Sequence, residues 1–260
     1  MSQLVAYALR DGAAHVTLSD PDHGNSLTPA SVDQLHAAVR RARLEDARVV
    51  VLRGLGKAFS VGGDVGTFAG AEDPDQLVED LAEALHRVIS DLHRMDAVVV
   101  AVVAGTAAGA GVPLAAAADV VLAGESARFT LAYTRIGLSP DGGSTLLTAS
   151  LGLHRALHLA LLNPVLGAAQ AQAAGLVAEV HPDAELDAAA DRVVAQLLAG
   201  SRPAQVSAKR LLREVATPGA EAALRQESLA IRANASGPDG REGVAAFAAK
   251  RRPDFPSTRG

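Results

Sequence analysis

The stretch AVVVAVVAGTAAGAGVPLAAAADVVLAG, Ala97 to Gly124, decides how this chain folds. It opens with alanine and valine alone, the pattern of a strand buried on both faces. Glycines at 105, 109 and 111 then break the run. After them an alanine-rich segment, with Pro113 near its start, reads as a short helix of small residues. Asp119 ends that segment and VVLAG reads as a second strand. The glycines, the proline and the aspartate suit strand, loop, helix and strand better than a membrane span.

Working outward, the same alternation continues. Upstream, AYALRDGAAHVTLSD reads as two antiparallel strands around Asp11-Gly12, a dipeptide suited to a tight hairpin turn. SVDQLHAAVRRARLED follows as a helix with Ser31 as its expected N-cap, then RVVVLRG as a buried strand. GKAFSVGGDVG reads as a glycine-rich loop, and Pro74 to Met95 as a long amphipathic helix. His86 and His93, one heptad apart on that helix, read as part of its solvated face. Downstream, VVLAGESARFTLA is a strand, a turn and a short strand, and from Gly142 onward the signals become helical. The expected organisation is an α/β core over 1–200 and a helical C-terminal region over 201–260, divided near Ser201-Arg202-Pro203.

Composition narrows the function. Hydrophobic residues make up 49% of the 260, aromatics only 3%, so the core is built from alanine, valine and leucine. Twenty-four basic and 29 acidic residues give a net charge of −5 with no basic stripe, which argues against a nucleic-acid partner. The absence of cysteine excludes disulfides, thiolate nucleophiles and cysteine metal sites. His154 and His158 are spaced as helix metal ligands, yet no third ligand accompanies them, so no metal is expected. The N-terminus lacks a basic segment followed by an apolar one, and a cytoplasmic protein is expected.

Two glycine-rich segments, GKAFSVGGDVG and GTAAGAGVPL, each follow a buried strand. Neither spells G-x-G-x-x-G or closes with Gly-Lys-Ser/Thr, so dinucleotide and phosphate-loop readings fail. GGST around Ser144 does not meet G-x-S-x-G. Glycines leave outward N–H groups that can hold a developing oxyanion, or they serve tight turns only. In GLSPDGGST, Asp141 is either turn chemistry and an N-cap for the helix that follows, or a working carboxylate.

GLGKAFSVGGDV (54–65), AGTAAGAGVPLAAAADVVLAGESARF (104–129), RIGLSPDGGSTLL (135–147), AAQAQAAGLVAEVHPDAEL (168–186) and GREGVAAFAAKRRPDF (240–255) together resemble the crotonase, or enoyl-CoA hydratase/isomerase, superfamily. The resemblance covers nearly the whole chain. It implies an α/β fold made of a spiral of ββα units with a C-terminal helical trimerisation region, self-association as a trimer or dimer of trimers, and acyl-CoA thioesters as ligands. No separate cofactor is implied, since CoA is part of the substrate.

Residue by residue, the resemblance puts the oxyanion donors at the N–H groups of Gly63 and Ala110. The CoA path falls on Ala58, Ser60, Gly63, Asp64, Val65, Gly66, Ala110 and Tyr133, with a local capping role as the other reading of Asp64. The two glutamates of hydratases in this family are replaced here by Pro113 and Tyr133. Water addition needs both an activating base and a proton donor, so a double-bond isomerase with Asp141 as single proton shuttle is the expected activity. The alternatives are a hydratase or other acyl-CoA lyase using a different second group, and a non-catalytic acyl-CoA-binding protein. Lys250, Arg251 and Arg252 read as a solvated helix end or as a contact for CoA phosphates.

Overall fold

The computed structural model describes residues 2–258. β1 (Val5–Arg10) and β2 (Ala13–Leu18) form the expected hairpin, with Asp11 at φ 50° and Gly12 at φ 86°. Two successive left-handed residues give the turn whose twist matches its strands. α1 (Pro29–Leu44) starts earlier than its sequence signal suggested. Its N-cap is Thr28, not Ser31: the Thr28 hydroxyl accepts the Ser31 N–H at 3.1 Å and Ser31 Oγ accepts the Thr28 N–H at 2.8 Å. Pro29, with φ already set for a helix and no N–H to leave unpaired, moves the start forward.

Three strand pairs follow, each sending one strand to each of two sheets. β3 (Val49–Gly54) and β4 (Ala58–Ser60) lead to α2 (Val65–Ala69) and α3 (Pro74–Arg94). β5 (Val98–Val103) and β6 (Thr106–Ala108) lead to α4 (Gly111–Ala116). β7 (Val120–Gly124) and β8 (Arg128–Thr130) lead to α5 (Leu147–Leu151) and α6 (Leu153–Leu162). β9 (Leu166–Gly167), α7 (Ala168–Ala174) and β10 (Glu179–His181) close the sheets. The larger sheet runs β1-β2-β3-β5-β7-β10 and the smaller β4-β6-β8-β9. This is a spiral of ββα units. GKAFSVGGDVG, read from sequence as a loop, contains β4, because Ala58–Ser60 pairs with β6 in the smaller sheet.

The valine runs are explained by burial on both faces. Val50, Leu52, Val99, Ala101 and Val103 face the main core. The alternate residues Val49, Val51, Val100 and Val102 pack with Leu186, Ala190 and Val194 of α8 (Leu186–Ala199). Burying each such side chain contributes about 1.5–3 kcal/mol.

The remaining helices are α9 (Arg202–Ala216), α10 (Ala220–Ser236) and α11 (Pro238–Ala248). Lys209 ties α9 to the sheet through the carbonyls of Leu92 (3.1 Å) and Ala97 (2.8 Å) and the carboxylate of Asp119 (2.8 Å). Arg213 shares Asp119 at 2.7 Å. α10 lies along α3, and α11 packs on α2 and α10. Among the described residues no helix is long and apolar enough to cross a membrane.

Candidate active site

The two glycine segments meet back to back. A Cβ on Gly62, which has φ 85°, would stand 2.7 Å from the Ala108 carbonyl oxygen and 3.0 Å from the Ala110 nitrogen. One on Gly111 would stand 2.4 Å from the Ser60 carbonyl oxygen. Only glycine permits so close an approach of two backbones. Ser60 braces the first loop: its hydroxyl donates to the Asn25 carbonyl at 2.9 Å and accepts the Gly62 N–H at 3.2 Å. Neither the Gly63 N–H nor the Ala110 N–H has an acceptor among the described residues.

The turn carrying Asp141 packs directly on this junction. A Cβ on Gly142 would lie 3.1 Å from the Ala110 methyl, and one on Gly143 would lie 3.8 Å from Pro113 Cβ. Asp141 is buried, and the Tyr133 hydroxyl donates to its Oδ1 at 2.5 Å. Burial pushes the Asp141 carboxyl up from its ordinary 3.8 to about 6, and the nearby Glu227 charge adds to the rise. The Tyr133 hydrogen bond and His86 oppose it. Burial and the adjacent carboxylate hold the Tyr133 phenol well above its usual range, so it serves as a donor.

The Asp141 side chain does not cap the following helix. The turn at 144–146 and α5 have no side-chain cap, and it is the Asp141 carbonyl that accepts Ser144 N–H (3.2 Å) and Ser144 Oγ–H (2.7 Å). Gly142 and Gly143, at φ 66° and 92°, reverse the chain between Asp141 and that helix. The carboxyl is thereby left to Tyr133.

Beneath the turn lie two side chains whose place the sequence did not disclose. His86 is 5% exposed, which overturns its assignment to a solvated helix face. α10 covers that side of α3, and Glu227 and Ser228 from α10 meet the imidazole. His86 Nε2 accepts the Gly142 N–H at 3.1 Å, which places the ring proton on Nδ1, 3.1 Å from Ser228 Oγ. Glu227 Oε2 is 3.2 Å from the same Nε2. With Nε2 accepting from Gly142 it carries no proton for Glu227, so the 3.2 Å approach of the carboxylate is a contact and not a hydrogen bond in this arrangement. His93 is half-buried rather than fully on a solvated face: it lies against Arg213 at 2.8 Å, and burial pushes it down to about 3, so it is neutral.

The profile of the enoyl-CoA hydratase/isomerase family matches residues 9–258. The chain belongs to that family. A probable enoyl-CoA hydratase of Rhodobacter capsulatus is 38% identical over 96% of this chain and 97% of its own length. A trans-2-decenoyl-[acyl-carrier-protein] isomerase of Streptococcus mutans is 32% identical, with 96% and 97% covered. The crystal structure of an enoyl-CoA hydratase from Mycobacterium avium subsp. paratuberculosis superposes with a TM-score of 0.88 at 36% identity, covering 97% of this chain and 98% of that one. The crotonase fold is therefore shown by sequence and structure together.

Within that fold, the loop of Gly62 and Gly63 meets the Ala110 backbone, the Asp141–Gly142 turn packs on Ala110, and Tyr133 donates to Asp141, with Pro113 beside Gly143. Asp64 turns its carboxylate into its own loop, accepting the Gly66 N–H at 3.1 Å and the Thr67 hydroxyl at 2.8 Å, and so caps α2. Ala58 and Ser60 are buried in β4, and Val65 and Gly66 form the first turn of α2. Arg251 pairs with Glu242, while His154 and His158 belong to no group of three His, Asp or Glu placed for a metal among the described residues.

The Tyr133 contact carries a direct prediction. Tyr133→Phe removes a donor that stabilises the carboxylate, so the Asp141 pKa rises above its present value. In a pH–rate profile the acidic limb moves to higher pH, and activity lost near pH 7 returns as pH is raised.

Proposed function

We propose that this protein shifts the double bond of an enoyl-CoA thioester, with Asp141 as proton shuttle and the N–H groups of Gly63 and Ala110 as oxyanion donors. The observation that carries the reading is one buried carboxyl, raised to about 6, on a turn that packs against Ala110, whose N–H like that of Gly63 has no acceptor among the described residues. With a 3-enoyl-CoA, the Asp141 carboxylate removes a C2 proton and the C–H electron pair delocalises onto the thioester oxygen. The two N–H groups stabilise that dienolate; one such donor is worth roughly 100-fold or more in rate. The carboxylic acid then returns the proton to C4, the C–O⁻ pair re-forms the carbonyl, and a 2-enoyl-CoA leaves. No net proton is gained or lost, so a single acid–base group suffices.

A hydratase reading has the names of several relatives in its favour. It requires a second group at the other carbon. Pro113 has no proton to give, and Tyr133 already donates to Asp141. The experiment is to incubate the protein with 3-enoyl-CoA and 2-enoyl-CoA in D2O and follow products by mass and NMR. Double-bond migration with no 3-hydroxyacyl-CoA is the expected result, with deuterium at C4 only to the extent that the Asp141 proton exchanges with solvent before it is returned. Accumulation of 3-hydroxyacyl-CoA from the 2-enoyl thioester would replace isomerase by hydratase. Binding of thioesters without turnover would make the protein a non-catalytic carrier of acyl-CoA.

A further inference from the structure

Glu227 is 3% exposed and comes from α10, far along the chain from the turn it touches. Its carboxylate accepts the Gly143 N–H at 2.7 Å, the Thr145 N–H at 2.7 Å and the Thr145 hydroxyl. His86 takes the N–H of Gly142 at 3.1 Å. Three backbone N–H groups immediately after Asp141 therefore end on side chains rather than on a helix or sheet.

The dependence is mutual. A buried carboxylate is costly by several kcal/mol unless its lone pairs are met, and buried N–H groups without acceptors are costly as well. Within the turn the Asp141 carbonyl accepts from Ser144, but Gly142 and Gly143 are both left-handed and packed against Leu85, Ala110 and Ile89, and their N–H groups find acceptors only on α3 and α10. Asp141 is the residue immediately before it.

We propose that Glu227, with His86 beside it, is the positioning residue that aims Asp141 at the substrate. It rests on the reading of Asp141 as the proton shuttle. Glu227 does not touch the reacting atoms; it holds the peptide groups that set the direction of the Asp141 carboxyl. A displacement of about 1 Å at a reacting group is enough for a 100-fold loss of rate. The C-terminal helical region is thereby part of the active-site machinery of its own chain.

The test is Glu227→Gln, which keeps shape and one acceptor oxygen but removes the charge and the second acceptor. Asp141→Asn is measured alongside. Expected for Glu227→Gln is a kcat lower by about tenfold or more, with affinity for an unreactive saturated acyl-CoA within about twofold on the same grounds. The groups facing Asp141 are Tyr133 from the 133–136 turn, His86 from α3 and Glu227 from α10. Glu227 raises the Asp141 pKa, so its loss moves the acidic limb of the pH–rate profile to lower pH; loosening that wets Asp141 would move it the same way, and the positioning role is therefore read from the fall in kcat at retained thioester affinity.

An unchanged kcat and an unmoved limb, with Asp141→Asn inactive, would overturn the positioning role and leave the function intact. If instead Asp141→Asn turns over normally, the proton-shuttle reading falls. The hold on the turn is then judged by hydrogen exchange: faster exchange at the Gly143 and Thr145 amides in Glu227→Gln supports it, and unchanged exchange overturns it. Should Glu227→Gln fail to fold, Thr145→Val removes one of the three contacts and is read the same way, by kcat against thioester affinity.

Discussion

Asp141→Asn is expected to lower kcat for double-bond migration by about 100- to 10,000-fold, the range for loss of a general base, while acyl-CoA affinity is retained. The amide fills the same space and still accepts from the Tyr133 hydroxyl, so the loss is confined to proton transfer. On the proposed reading the unsubstituted protein needs the carboxylate, and kcat is expected to fall as pH drops through about 6. The same substitution reports on stability. Between the ordinary 3.8 and about 6 the folded chain holds a proton on Asp141 that the unfolded chain has released. The stability linked to it is complete below 3.8 and is lost as pH rises through 6. A shift of this size corresponds to roughly 3 kcal/mol. Asp141→Asn is therefore expected to be more stable than the parent at pH 8, by up to that amount, with the advantage gone at pH 3.5. Urea denaturation at both pH values checks it, and a variant destabilised at pH 8 would contradict it.

Gly62→Ala is expected to remove most activity by a different route. The new methyl group would meet the Ala108 carbonyl at 2.7 Å and the Ala110 nitrogen at 3.0 Å, both backbone atoms that cannot rotate away. The residue would also have to keep φ near 85°, which costs about 1–2 kcal/mol for a residue with a Cβ. The loops respond by separating, which moves the Gly63 and Ala110 N–H groups apart. A fall in kcat of about 100-fold or more follows if the pair acts as oxyanion donors, accompanied by a lower melting temperature. Measured side by side, Asp141→Asn leaves the glycine loops intact and Gly62→Ala leaves the carboxylate, so on the proposed reading tight binding of a stable enolate analogue should survive the first and fail in the second.

Much of the site was legible in the sequence because its parts are local. The glycines at 62, 63, 109 and 111 mark two strand-to-helix connections, and Asp141 stands in a Pro-Asp-Gly-Gly turn. Pro113 and Tyr133 are single letters at informative positions. Glu227 and His86 were not legible, since each sits on an amphipathic helix where a charged residue ordinarily faces water. Their burial follows from α10 lying across α3, a contact between segments separated by some 140 positions. No local periodicity encodes that contact. The Asp141 carboxyl presents the same contrast in miniature: local turn chemistry suggested an N-cap, but the hydrogen bond goes to Tyr133 instead.

The sequence by itself determined the β/α alternation, the two-sided burial of the valine strands, and the presence of glycine at the backbone crossings. Those features depend on side-chain period and on steric limits at single residues. Only the tertiary structure decided that the Asp141 carboxyl is buried, which phenol restrains it, and which distant glutamate holds its turn. Burial and charge proximity set those properties, and both arise from segments that meet only after the chain has folded.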